Sequence, residues 1–243
     1  MDASRLSRTG TPGNGLSVAE RLNSWRHRAR DPALTALLVV QIFILLVAAP
    51  AAATGPWSGR IIIEFAVLAV AAVVFVISHG RVPTAIAVLA IACGVAGVTM
   101  QLWALSNALL LLGTIGGFGA QLLVIYLLGH AVLAPGEITR HRVIGAVALY
   151  LGLGMAFAGA YRLASELVLG SLTNVPSGSE QFQGYSSTLY FSFVTLTSVG
   201  YGDIVPVQPF VRALCNLEAI IGQLFPATLL ARLVTLELER RHR

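Results

Sequence analysis

The sequence predicts an all-α integral membrane protein with six transmembrane helices, and three observations carry that expectation. Of its 243 residues, 56% are hydrophobic and only 11% charged, where a soluble domain carries about 25% charged residues. Apolar runs close to the ~20 residues that match a hydrocarbon core recur in series. The breaks between the first four runs are a few residues long, so those helices must form an antiparallel hairpin bundle.

Residues 1–32 are polar and arginine-rich and contain Gly and Pro, which keeps them out of the bilayer as a cytoplasmic tail. Within them, residues 18–28, with Leu22 and Trp25 on one side, suit either a short amphipathic surface helix or a disordered segment. Apolar spans follow at 33–53, 61–78, 84–104, 108–130, 143–169 and 208–235. The first four make a membrane domain over 33–134; the last two, with the long connection between them, make a second domain over 135–236; 237–243 is a short cytoplasmic tail. The "AAPAAATG" at residues 48–55 has the small-residue pattern of a signal-peptidase site, but the leader before it is unusually long, so no cleavage is expected.

All sixteen basic residues are arginine, which fits a GC-rich bacterial genome. Thirteen of them lie on one side if both tails are cytoplasmic, leaving Arg60, Arg162 and Arg212 near the outer side. The expectation is a multi-pass protein of the cell membrane, a bacterial inner membrane, with both termini inside. The formal charge of +5 sits at helix ends, where anionic lipid head groups meet it; no nucleic-acid partner is implied. Cys93 and Cys215 fall inside apolar runs and read as small buried hydrophobes, and the five histidines are scattered singly, so neither a disulfide nor a metal cluster is expected. No nucleophile with a base and no phosphate-cradling loop is present, which argues against an enzyme.

Tails-in orientation puts residues 171–208 on the outer side. Within that stretch, "SSTLYFSFVTLTS" (186–198) has Ser186 or Ser187 as a possible cap and suits a helix of about three turns. A half-crossing helix followed by extended polar backbone is tolerated in a membrane only where protein surrounds it or it lines a water-filled path. The following "TSVGYGD" (197–203) resembles the selectivity-filter signature of potassium channels. The close resemblance covers about residues 186–230; the first four spans match that family in number and order only.

The resemblance implies a re-entrant pore helix and selectivity-filter loop between helices five and six, in a homotetrameric channel, because one loop cannot surround an ion. Ion sites for K+ would be built by the carbonyls of Ser198, Val199, Gly200 and Tyr201, with the Ser198 hydroxyl, and closed by Gly202. Apart from transported K+ no cofactor is implied. Ser198 stands where the family has threonine and loses the methyl that restrains the rotamer. Tyr190 and Phe191 match the aromatic pair behind the filter, Tyr190 being placed to bond Asp203, while Thr195 and Thr197 end the pore helix, whose C-terminal dipole favours a cation.

Gly222 takes the family's pivot position in the inner helix, either to allow bending with Pro226 or to permit close packing. Gln223, Pro226 and Leu230 would face the cavity, Gln223 alternatively bonding a neighbouring helix. Glu218 is the sole acid deep in that helix and reads as a structural strut or a proton-dependent gate. With Arg162 and Glu166 at the outer end of helix five, an Arg162–Glu218 pair is expected. The fourth span contains no arginine and cannot sense voltage by moving charge; its "GGFG" (116–119) suits close helix packing. A weakly selective cation channel is the alternative, and a secondary transporter a more distant one.

Overall fold

The computed structural model describes residues 33–54, 81–102, 107–133, 140–173 and 181–241. The predicted tail 1–32, the second span 61–78 and the domain boundary at 134–135 lie outside the described residues.

Helix α1 covers residues 33–54 and carries a π-helical stretch, Ile44–Ala48, in which the Ala49 amide reaches the Ile44 carbonyl. Pro50 follows directly, and its missing N–H interrupts the α-helical ladder at this point, a common cause of such a bulge. Then come α2 (Arg81–Leu102), α3 (Asn107–Leu133), α4 (Arg140–Leu167), α5 (Gln181–Leu196) and α6 (Pro209–Arg241). Among the described residues, four helices are long and apolar enough to cross a membrane: Ala33–Ala51, Leu111–His130, Val143–Leu167 and Pro209–Arg232; α2 contributes a shorter apolar stretch, Thr84–Ala96.

One expected boundary is corrected. The short helix begins at Gln181, so Ser186 and Ser187 lie inside it and do not cap it. Hydroxyls within a helix can bond back to its own carbonyls, as Thr188 Oγ1 does to Tyr185 O at 3.0 Å, so a serine pair is an ambiguous start signal. Helix α6 runs to Arg241, so most of residues 237–243 continue it as helix.

Helix α2 packs on α3 and α3 on α4; α4, α5 and α6 then form a second unit. The α1 helix bridges both. Its first turns, Ala33, Leu34 and Leu37, join Leu128 and Val132 of α3 and Leu149 of α4, with Phe225 and Leu229 of α6 against them. Its far end places Ile44, Leu45 and Ala49 against Met155 and Ala158 of α4 and Leu189 and Phe193 of α5.

Glycines on α4 act as notches for this packing. A methyl at Gly154 would meet the Phe193 ring at 2.9 Å, and one at Gly159 would meet Phe118 at 3.1 Å. The "GGFG" segment therefore contributes its phenylalanine to the contact, while Gly117 and Gly119 have nothing within 4 Å of where a methyl would stand. Near the C-terminal end of α4, Thr114 of α3 donates to Glu166 Oε1 at 3.0 Å and Arg162 Nε donates to the same oxygen at 2.7 Å, tying α3 to α4.

Candidate functional site

Helix α5 stops at Leu196, and the chain turns back on its last carbonyls. Ser198 N–H bonds Thr195 O at 2.9 Å, while Val199 N–H and Gly200 N–H share Val194 O at 2.9 and 3.3 Å. In a planar trans peptide the carbonyl points opposite to the N–H that follows it. The carbonyls of Thr197, Ser198 and Val199 are therefore directed away from α5.

Backbone handedness continues the pattern. Ser198, Gly200 and Gly202 have φ of 57°, 57° and 79°, and Val199 and Tyr201 between them keep negative φ. Alternation of left- and right-handed residues turns successive carbonyls toward one side instead of to opposite sides, as a β-strand would. Glycine adopts the left-handed region freely, whereas Ser198 does so at a cost of about 1–2 kcal/mol. That strain at a non-glycine position has no signature in the sequence. The loop is open to its surroundings in the single chain: Val199 is 53% and Tyr201 72% exposed.

The supporting residues fall around this loop. Tyr190 stacks on Tyr201, with ring centroids 6.3 Å apart and planes 6° from parallel, and its hydroxyl bonds Asp203. Phe191 is buried in the contact of α4, α5 and α6, edge-on to Tyr161. The hydroxyls of Thr195 and Thr197 bond back to Phe191 O and Phe193 O at 2.8 and 2.6 Å. Beyond the loop, the chain is stapled to the segment after α4: Thr173 N–H bonds Val205 O at 3.0 Å and Val207 N–H bonds Ser171 O at 2.9 Å. Arg212 Nε donates to Pro206 O at 3.0 Å, fixing the entry to α6.

Helix α6 grips the end of α5 and the loop at three successive points. Glu218 accepts from Tyr161 at 2.6 Å and lies 2.5 Å from Ser192 Oγ. Gly222 is buried directly against the Leu196 carbonyl, where a methyl group would overlap the oxygen. Gln223 Nε2 donates to Ser198 Oγ at 2.9 Å. Gln223, Pro226 and Leu230 are all exposed in the single chain. The expected Arg162–Glu218 pair is not formed. Arg162 pairs with Glu166 one turn away, a partner already within reach on its own helix, and Glu218 is served by hydroxyls instead.

These features define a membrane-spanning helical protein in which a short helix presents an open, left-right alternating glycine loop beside a long partner helix. Residues 147–238, which contain all of this site, match the Ion_trans_2 family, described as "Ion channel". Over 76 residues the chain is 32% identical to the inward rectifier potassium channel Kirbac3.1 of Paramagnetospirillum magnetotacticum, covering 31% of this chain and 23% of that protein. Over 89 residues it is 33% identical to Protein LctB of Bacillus caldotenax, covering 35% of this chain and 64% of that one. The chain thus spans less than two thirds of the length of either relative. No solved structure matches it at comparable significance. The α4–α6 segment is thus similar to the ion channel family and to part of a potassium channel.

Proposed function

We propose that the chain is one subunit of a homotetrameric channel that conducts potassium passively, with Ser198, Val199, Gly200, Tyr201 and Gly202 as its selectivity filter. The observation that carries this reading is the alternation of φ along 198–202, combined with amides turned back onto α5, so that carbonyls face a common side. Peptide oxygens left bare in a membrane are costly unless something replaces water, and a dehydrated monovalent cation does so when four loops surround it.

The faces of the single chain support an assembly. Val199 and Tyr201 of the loop and Leu217, Ile220 and Leu224 of α6 are exposed apolar groups for which neighbouring copies would provide cover. About half a negative charge at the C-terminus of each α5 favours a cation below the loop, in a cavity walled by Gln223, Pro226 and Leu230. Without arginines in α3, the bundle of α1 to α3 supplies no gating charge, so the stimulus acts through the membrane, the loop or a partner. Anionic lipid at the cytoplasmic arginines of a bacterial inner membrane is the partner the charge distribution suits.

Gln223 favours a second reading on one point. Its bond to the Ser198 hydroxyl occupies a group that would otherwise serve the innermost ion, which suits a cation channel of weaker preference. Flux from liposomes holding the purified protein separates the readings. The expected result is fast K+ efflux, at least about tenfold above Na+, abolished by Gly200→Asp. Equal K+ and Na+ flux would favour the weakly selective channel, and saturable uptake driven by a second ion gradient would favour a transporter.

A further inference from the structure

Glu218 has no charged partner among the described residues, although it is 0% exposed and sits in the middle of a membrane-crossing helix. The titratable groups near it are Tyr161 and Tyr150 of α4 and Cys215 one turn earlier on α6; from α5 it meets only the Ser192 hydroxyl. None of these is cationic, and the nearby Arg162 is held by Glu166. A bare carboxylate here would be an unpaired buried ion, costly enough that such groups change protonation state instead.

Counting protons leads to the same point independently. Ser192 Oγ lies 2.7 Å from Gly154 O and 2.5 Å from Glu218 Oε1, and Ser192 is fully buried. The Gly154 carbonyl can only accept. The serine hydroxyl has one hydrogen, so it can supply one of these two contacts, and the other oxygen pair needs a hydrogen from elsewhere. If Glu218 were ionised, two oxygens would face each other with no hydrogen between them.

We propose that Glu218 is a neutral carboxylic acid in the folded channel, donating its proton to Ser192 while Ser192 donates to Gly154 and Tyr161 donates to Glu218. Every donor and acceptor in the chain Tyr161, Glu218, Ser192, Gly154 is then satisfied, and the link joins α4, α5 and α6. Its role is positional. Ser192 lies half a turn before Val194, whose carbonyl holds the Val199 and Gly200 amides, so the acid sets where α5 presents the loop. The link contributes no negative charge to the conduction path.

The assignment rests on the packing of α4 to α6 and not on the ion selected, so its test can be read apart from conduction. Infrared spectra of the full-length protein in lipid at neutral pH should contain a protonated-carboxyl C=O band that Glu218→Gln removes. Glutamine offers the same pattern, an N–H donor to Ser192 and a carbonyl acceptor for Tyr161. Flux through Glu218→Gln should therefore stay within about twofold of wild type, while Glu218→Leu, which offers neither, should fall by about tenfold or more. The inference is overturned if the spectra of wild type and Glu218→Gln are the same in the C=O region. It is equally overturned if the glutamine variant fails to fold or loses as much flux as the leucine variant.

Discussion

An alanine at position 222 is expected to abolish ion flux and to destabilise the α4–α6 unit by about 3 kcal/mol, the upper end of the usual overpacking cost. The added methyl would overlap the Leu196 carbonyl oxygen, with the Leu196 carbonyl carbon only 2.8 Å away. Both atoms are backbone at the end of α5, so no rotamer change relieves the clash. Separation of α6 from α5 would also draw Gln223 away from Ser198 and Glu218 away from Ser192. Thermal unfolding in detergent and liposome flux measure the two effects. Gly117→Ala is the control: nothing lies within 4 Å of its added methyl, and a helix gains stability from alanine over glycine. If Gly222 served only as a pivot, Gly222→Ala would fold as well as the control and differ only in open probability.

Gly202→Ala is expected to stop flux without unfolding the protein. Its φ of 79° lies in the left-handed region, and a methyl there meets nothing within 4 Å, so the cost is conformational and not steric. An L-residue pays about 1–2 kcal/mol for that conformation, a factor of roughly five to thirty in the population of the required backbone for each chain. Because four loops must adopt it together in the proposed assembly, the effect on conduction multiplies while the helices stay intact. The thermal transition should move little and efflux should fall to the level of empty liposomes. A conducting Gly202→Ala channel would mean that the carbonyl alternation at this position is dispensable.

The glycine loop was legible in the sequence because its information is local: the resemblance lies in seven consecutive residues, and glycine at 200 and 202 leaves the backbone free to take the positive φ found there. The same locality limited what could be read around it. Ser186 and Ser187 looked like caps because a hydroxyl before an apolar run is the usual start signal, yet here they lie within a helix that begins at Gln181. Burial cost identified Glu218 as consequential, but its partners, Tyr161 and Ser192, are neutral hydroxyl residues on two other helices and carry no charge signal. Arg162 was the conspicuous cation, and its local partner Glu166 took it. For Gly222 the sequence allowed bending or contact, and the buried approach of Leu196 favours contact.

The direct test of the central claim is to locate a heavy potassium substitute in the assembled protein. Rubidium soaked into crystals and found by anomalous scattering should lie in a row on a fourfold axis, between successive layers of carbonyls from Ser198 to Tyr201. Ions absent from any such axis, or loops turned outward with no axis shared between chains, would contradict the account.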